Sequence, residues 1–401
     1  MPLPASRAVS AARLCALNGG LQLVWGAILG VSLQARSIEL SNGGDAVTAY
    51  AITAAAGALV ATVMQIVVGI FSDRERARIG HRQRFYAAGV ALTIPALFWF
   101  YFAPSYGQLV AAFLALELSM NVVGGPYQAV IPDFVERDRR GVASSWMAVY
   151  QSMGNAYGLL VAGLLHDLRF AAIALALPFA ATYAATATHL RELPAAAESD
   201  AAPQVRPLRI GGPLEALLVS RGIINIGFFT LLGFLLFFVR DSLGAAAGDI
   251  RMQTAFLFLT FTLCAIPGAA AAAVPTDRHD KRLVVTAGVA TIVVALALLA
   301  TAHALPIAYV ASALAGVGWG GFVTADWALA AAVLPPGEMA TSMGIWNVAT
   351  ALPQVIAPLA TAPLVSRLNA AHAGSGPRAA IALALVEFAI GGAAIWRLPR
   401  A

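Results

Sequence analysis

Glu117 is the residue whose type and setting most invite chemistry. It stands alone as an acid in the apolar run LVAAFLALELSMNVVGG, residues 109–125. A carboxylate near a bilayer midplane costs several kcal/mol unless it is protonated, paired or facing water, so an acid in such a run is a functional candidate by default. The neutral acid is tolerated where the anion is not, which makes Glu117 a candidate proton carrier. Glu117, Asn121, Gly124 and Gln128 are spaced 4, 7 and 11 apart from the first, which holds them within about 40° on one helical face. That face is polar and small, suited to lining a cavity. The competing reading is a neutral glutamic acid bonded to a neighbouring helix.

Other polar stripes follow the same period. Asn18, Gln22 and Trp25 share one face, Gln151, Asn155 and Gly158 another, Arg221 and Asn225 a third, and Asn347 and Gln354 a fourth. Amides and an aromatic plate are what a polyhydroxylated ligand requires, for hydrogen bonds to hydroxyls and for ring stacking. The alternative is hydrogen bonding between helices, worth about 0.6 kcal/mol per contact on average. Arg221 sits about eight residues, or roughly 12 Å, inside its apolar stretch, too deep to lack a partner. Asp326 is the first candidate for that partner and Glu117 the second. Such a pair is either a structural salt bridge or a gate that breaks and re-forms.

The elements that must carry these residues are read from composition and hydropathy. Hydrophobic residues make up 60% of the 401-residue chain and charged residues 11%, against about 45–50% and about 25% in ordinary soluble domains. A bilayer accommodates that balance, because lipid-facing side chains need not be polar. The net charge of +5 is dispersed, with no basic face for nucleic acid. Cys15 and Cys264 lie in separate apolar stretches without metal-type spacing and read as small buried hydrophobes.

Stretches of roughly 20 apolar residues span a bilayer as helices. Twelve are expected, the first six at about 13–35, 46–71, 85–103, 106–131, 141–165 and 170–189. The second six fall at about 213–239, 251–274, 283–303, 306–333, 338–366 and 376–396. With both termini in the cytoplasm, inside segments hold Arg74, Arg76, Arg78, Arg82 and Arg84 and most other cations, whereas outside loops hold only Arg36, Arg169, Arg240, Arg251, Arg367 and Arg378. That bias of about three to one is the positive-inside pattern. The first span, with Asn18 and Gln22, is too long and polar for a signal-peptide core.

The polar segment RELPAAAESDAAPQVRPLRIGG reads as a cytoplasmic linker over 190–212, joining halves 1–189 and 213–401. The halves look related. Asn18, Gly19 and Gln22 correspond to Arg221, Gly222 and Asn225; SDR…AAGVA at 72–91 recurs as TDR…TAGVA at 276–290; Gly124-Gly125 recurs as Gly320-Gly321. A six-plus-six duplication places substrate midway between halves.

The loop expected after the second span reads GIFSDRERARIGHRQRF, with Gly69, Asp73, Arg74, Gly80 and Arg82. It resembles the major facilitator signature G-x-x-x-D-R…G-R-R. The seven-residue step from Asp73 to Gly80 is similar to that of sucrose-transporter-like proteins and their glycoside–pentoside–hexuronide cation symporter relatives. NGGLQLVW, with Gly19, Gly20, Gln22 and Trp25, looks like their G-G-x-Q-x-x-W. LELSMNVVGGPYQAVIPD resembles their L-D-x-x-x-N…G-P…A-L-x-x-D, with Glu117 in place of an aspartate, and Gly154-Asn155 matches a Gly-Asn in their fifth span. The second half, with Asp326, Trp346, Asn347 and Gln354, fits the superfamily and identifies a subfamily less sharply.

The resemblance implies an all-α membrane protein, twelve helices in two pseudo-symmetric six-helix bundles, in the bacterial inner membrane. It implies that the signature loop latches the cytoplasmic side; physically, Gly69 lets helices approach closely and Asp73 caps or ion-pairs at a helix end. The second copy, Asp277 to Arg282, lacks the glycine. The implied activity is import of a sugar or glycoside with a proton, or a sodium ion, by alternating access. In that scheme Glu117 carries the proton, while Asn18, Gln22, Trp25, Asn121, Gln128, Gln151, Asn155, Asn225, Asn347 and Gln354 contact ligand. The alternative on the same fold is proton-antiport export of a drug or small metabolite; a third class is a non-transporting receptor or scaffold. No Walker motif, nucleophile elbow or H-E-x-x-H pattern appears, so neither ATP-driven transport nor an enzyme is expected, and no resident cofactor or metal.

Overall fold

The computed structural model describes residues 5–41, 43–79, 81–135, 139–192, 212–333 and 339–398. The described residues form helices and the turns between them. In chain order these are α1 (Ala5–Ala27), α2 (Leu33–Leu40), α3 (Ala46–Ile79), α4 (Gln83–Phe102), α5 (Tyr106–Tyr127), α6 (Val130–Phe134) and α7 (Arg140–Leu164). They continue with α8 (Leu168–Glu192), α9 (Pro213–Phe237), α10 (Ile250–Arg278), α11 (Lys281–Ala300), α12 (Leu305–Val333), α13 (Met339–Ala371) and α14 (Ser375–Ala394). The stretch joining α1 to α2, Ile28–Ser32, is π-helical, and so is Phe238–Ser242 after α9.

Eleven helical segments among the described residues are long and apolar enough to cross a membrane. The expected fifth span is present as α7, 25 residues long, but does not join them. Its Ser144, Ser145, Gln151, Ser152 and Asn155 interrupt the apolar run. The second span ends later than hydropathy suggests. α3 runs through Ile79, so Asp73 and Arg74 are helical and do not lie in a loop. SDRERARI contains no glycine or proline, and Arg, Glu and Ala are good helix formers. Most of the expected linker, 193–211, lies outside the described residues.

The chain forms two compact units. One comprises Met1–Asn42 with Ala56–Asp200, the other Gly43–Ala55 with Ala201–Ala401. The division falls inside α3, whose opening turns belong with the second unit. Tyr50 explains part of this: its ring lies 6.1 Å from that of Phe234 and 5.8 Å from that of Phe237. Gly233 leaves room for the Tyr50 hydroxyl, which would stand 2.7 Å from an added Cβ.

Small residues set the helix spacing in each unit. In the first, α1 and α7 cross so closely that a Cβ on Gly154 would lie 2.3 Å from the Gly19 carbonyl oxygen, and one on Gly158 2.1 Å from that of Leu23. Membrane helices associate by such close packing, since lipid gives little hydrophobic drive. Thr186 ties α8 to α1, accepting from Leu17 N at 3.1 Å and donating to the Arg13 carbonyl at 3.0 Å. In the second unit Gly268, Gly316 and Gly320 bring α10 against α12 in the same way. The repeated Gly-Gly pairs are not equivalent in packing. Gly320 would clash with the Ala265 oxygen at 2.0 Å, whereas an added Cβ on Gly124 meets only Leu21 at 4.0 Å and one on Gly125 meets nothing.

Candidate functional site

In the first unit, α5 carries Glu117 into the interior, 5% exposed. Asn121, one turn on, donates through Nδ2 to the Glu117 carbonyl at 2.8 Å and approaches Glu117 Oε2 at 3.5 Å. Among the described residues no cation pairs with Glu117. Gln128 is the C-cap of α5; its backbone is still helical and its N–H donates to the Gly124 carbonyl at 3.2 Å, so it stays on the stripe, but it is exposed where Glu117 and Asn121 are buried.

The α1 stripe divides. Asn18 donates through Nδ2 to the Met147 carbonyl on α7 at 3.0 Å, and its backbone N–H donates to the Tyr127 hydroxyl at 3.3 Å. Tyr127 in turn donates to the Leu14 carbonyl at 2.9 Å. Asn18 therefore locks α1 to α5 and α7. Gln22 and Trp25 are half-buried. On α7, Gln151 is exposed and Asn155 half-buried, with Asn155 Oδ1 only 2.6 Å from where a Gly26 Cβ would stand.

In the second unit, Arg221 donates through Nη1 to Asp326 Oδ2 and through Nη2 to Thr350 Oγ1 at 3.3 Å. Asn225, one turn further along α9, donates to the Ala349 carbonyl at 3.1 Å. Arg221 and Asn225 thus hold α13, and Arg221 also reaches α12. Gln354 is half-buried, and the Asn347 side chain lies outside the description.

The signature segment forms a charged knot. Arg82, the residue before α4, donates to Asp73 and to Ser72 Oγ (2.8 Å) on α3 and through Nε to Asp133 on α6 at 3.0 Å. Arg76 pairs with the other oxygen of Asp133 at 3.1 Å. Burial pulls the Arg82 guanidinium down, but Asp73 and Asp133 more than offset this and hold it above its ordinary value. Arg74 points elsewhere, over the Phe71 ring at 5.9 Å. Gly80 lies outside the described residues. An added Cβ on Gly69 would meet nothing within 4 Å among the described residues.

Three further acids hold structural positions that residue spacing does not single out. Asp133 was visible as the last acid of LELSMNVVGGPYQAVIPD, but only the fold brings it to two arginines. Asp45 precedes α3 in sequence, and its bond to Ser366 spans 321 residues. Glu387, an acid in the apolar helix α14, could have been found by the argument applied to Glu117. Among the described residues no group of three His, Cys, Asp or Glu side chains could hold a metal ion.

Comparison with known proteins places this geometry in context. The sequence profile of the Major Facilitator Superfamily matches residues 17–358. A general alpha-glucoside permease of Schizosaccharomyces pombe is 28% identical over 122 residues, covering 26% of this chain and 22% of the permease. The match thus spans about a fifth of that relative's length. Among solved structures, a bacterial homologue of the human lysosomal transporter Spinster, inward-facing and occupied, superposes with a TM-score of 0.74 at 12% identity, covering 98% of this chain and 96% of the other. The nucleoside transporter NupG gives 0.73 at 12% identity over 96% and 99%. At such identities the likeness is one of fold.

Proposed function

As the chain belongs to the Major Facilitator Superfamily and has the fold of a multi-pass membrane transporter rather than an enzyme, we propose that it is a proton-coupled importer of a sugar or glycoside, working by alternating access. The observation that carries this reading is Glu117: a buried acid in a membrane-crossing helix, with no cation paired to it among the described residues. An anion so placed is costly and a neutral acid is not. Loading and release of a proton at Glu117 therefore couples to whichever state of the protein gives it water.

A polyhydroxylated substrate is supported by the polar side chains of Gln22, Trp25, Gln151, Asn155 and Gln354 and by the short match to a glucoside permease. Asn18, Asn121 and Asn225 act in this reading through their helix contacts as well as any contact to ligand. Arg221 with Asp326 is the pair that gating would break, and the Arg82 knot is the cytoplasmic latch. α7 serves as the twelfth span, its polar face away from lipid, which gives two six-helix halves; in this reading the arginine bias puts both termini inside, and the membrane is the inner membrane.

Membrane vesicles loaded with the purified protein and given an inward proton gradient test the proposal. Accumulation of a labelled glycoside, abolished by a protonophore and reduced to non-concentrative exchange in Glu117→Gln, is the expected result. Full gradient-driven accumulation by Glu117→Gln removes Glu117 from coupling. Accumulation that follows a sodium gradient alone replaces the proton.

A further inference from the structure

We infer that Glu387, on α14 in the second unit, is a proton-binding site separate from Glu117. It stands near the middle of the apolar stretch Ser375–Arg397. The Thr230 hydroxyl of α9 lies beside its carboxyl, and Thr230 Oγ1 lies 3.5 Å from Thr361 Oγ1 of α13. Both threonines are fully buried. Glu387 thus closes a row of hydroxyls across three helices. Its other oxygen, Oε2, is buried with no hydrogen-bond partner among the described residues.

That orphaned atom decides the protonation state. As part of a carboxylate, Oε2 would bear negative charge without donor or counter-ion inside an apolar helix bundle, a costly arrangement. As the hydroxyl of a neutral acid it leaves one unpaired polar group and no buried charge.

Charges on the surrounding helices do not rescue the anion. Arg221 of α9 is paired with Asp326, Arg240 beyond α9 with Asp241, and Arg282 of α11 with Asp280. Arg378, at the start of α14 itself, donates to the carbonyls of Ala300 and Ser242. Glu215, Arg367 and Arg397 stand six or more residues along the chain from Thr230, Thr361 and Glu387 respectively, about 9 Å or further, and Lys281 is the first residue of α11. Glu387 therefore holds a proton here, and releases it when α9, α13 or α14 moves enough to admit water to Oε2.

Infrared spectroscopy of the full-length protein in lipid, titrated from about pH 5 to about pH 10, tests this by the band of protonated carboxyl groups. The expected result is a titrating component present in wild type and in Glu117→Gln but missing from Glu387→Gln, with its midpoint moved in Thr230→Val. A second measurement avoids variants altogether. Carbodiimide labels protonated buried carboxyls, and trypsin releases residues 379–397 with Glu387 as their only acid. Labelling of that peptide should fall roughly tenfold or more as pH rises across the midpoint. Wild-type and Glu387→Gln spectra that agree at every pH overturn the inference, as does a Glu387 component or labelling that never titrates. Loss of transport in Glu117→Gln with the Glu387 component intact separates the two sites.

Discussion

Arg221 and Asp326 lie 105 positions apart in sequence and form an ion pair between α9 and α12. Their side chains are 14% and 2% exposed. Breaking such a buried pair by removing one partner typically costs about 3–5 kcal/mol, because the other charge stays behind, whereas replacing both with apolar residues is often neutral. Thermal unfolding in detergent should therefore show Arg221→Met and Asp326→Asn each strongly destabilised, and Arg221→Met with Asp326→Leu close to wild type. Equal losses in single and double variants would show that the pair contributes by packing alone. Transport by the double variant then tells a static bridge from a gate.

The Arg82 knot is asymmetric. Asp73 is 64% exposed at its side chain and Asp133 only 8%, and Asp133 alone serves two arginines. Asp73→Ala should cost less than about 1 kcal/mol, as exposed pairs do. Asp133→Ala leaves Arg82 buried among fewer acceptors and should cost several times more. Chemical denaturation or melting of the two variants side by side measures the difference.

Glycines at two points of the fold should respond oppositely to a methyl group. Gly158→Ala drives a Cβ to 2.1 Å from the Leu23 carbonyl, and forced overpacking of this kind costs about 1–3 kcal/mol. Gly69→Ala meets open space in the middle of a helix and should stabilise by up to about 1 kcal/mol through helix propensity. Melting temperatures of the two variants check both signs.

Asp45 caps α3, accepting from Val47 N at 3.0 Å and Thr48 N at 3.2 Å, while Ser366 of α13 donates to its second oxygen. Partial burial pushes its carboxyl up, but the hydrogen bonds from Ser366, Thr48 and Val47 more than offset this and leave it below the ordinary carboxylate value. A depressed folded value means that the charged cap contributes its full stability above the ordinary value. The contribution is lost as pH falls through the lower folded one. Asp45→Ala should cost about 1 kcal/mol at neutral pH. The gap to wild type should close in strong acid, as followed by melting over a pH series. A gap independent of pH would assign the effect to shape rather than charge.

Much of the architecture is written in the sequence, because hydropathy is a property of each segment alone. Composition and runs of apolar residues suffice to mark the membrane-crossing helices and to pick Glu117 and Arg221 as charged residues in unusual places. The same local logic fails at α7, where a helix is present but is too polar to count among the eleven, and at the end of α3, where helix propensity outruns hydropathy. Glu387, an acid inside an apolar helix, carries the same local signal as Glu117. Tertiary structure alone decided the partners. A stripe of amides at helical spacing fixes a direction but not what faces it, so the structure was needed to turn Asn18 to the Met147 carbonyl and Asn225 to that of Ala349. It likewise showed that Gly158 sits at a helix crossing while an added Cβ on Gly69 meets open space. Spacing along one helix is set by the 1.5 Å rise of its own backbone; what meets across helices depends on how whole side-chain surfaces pack.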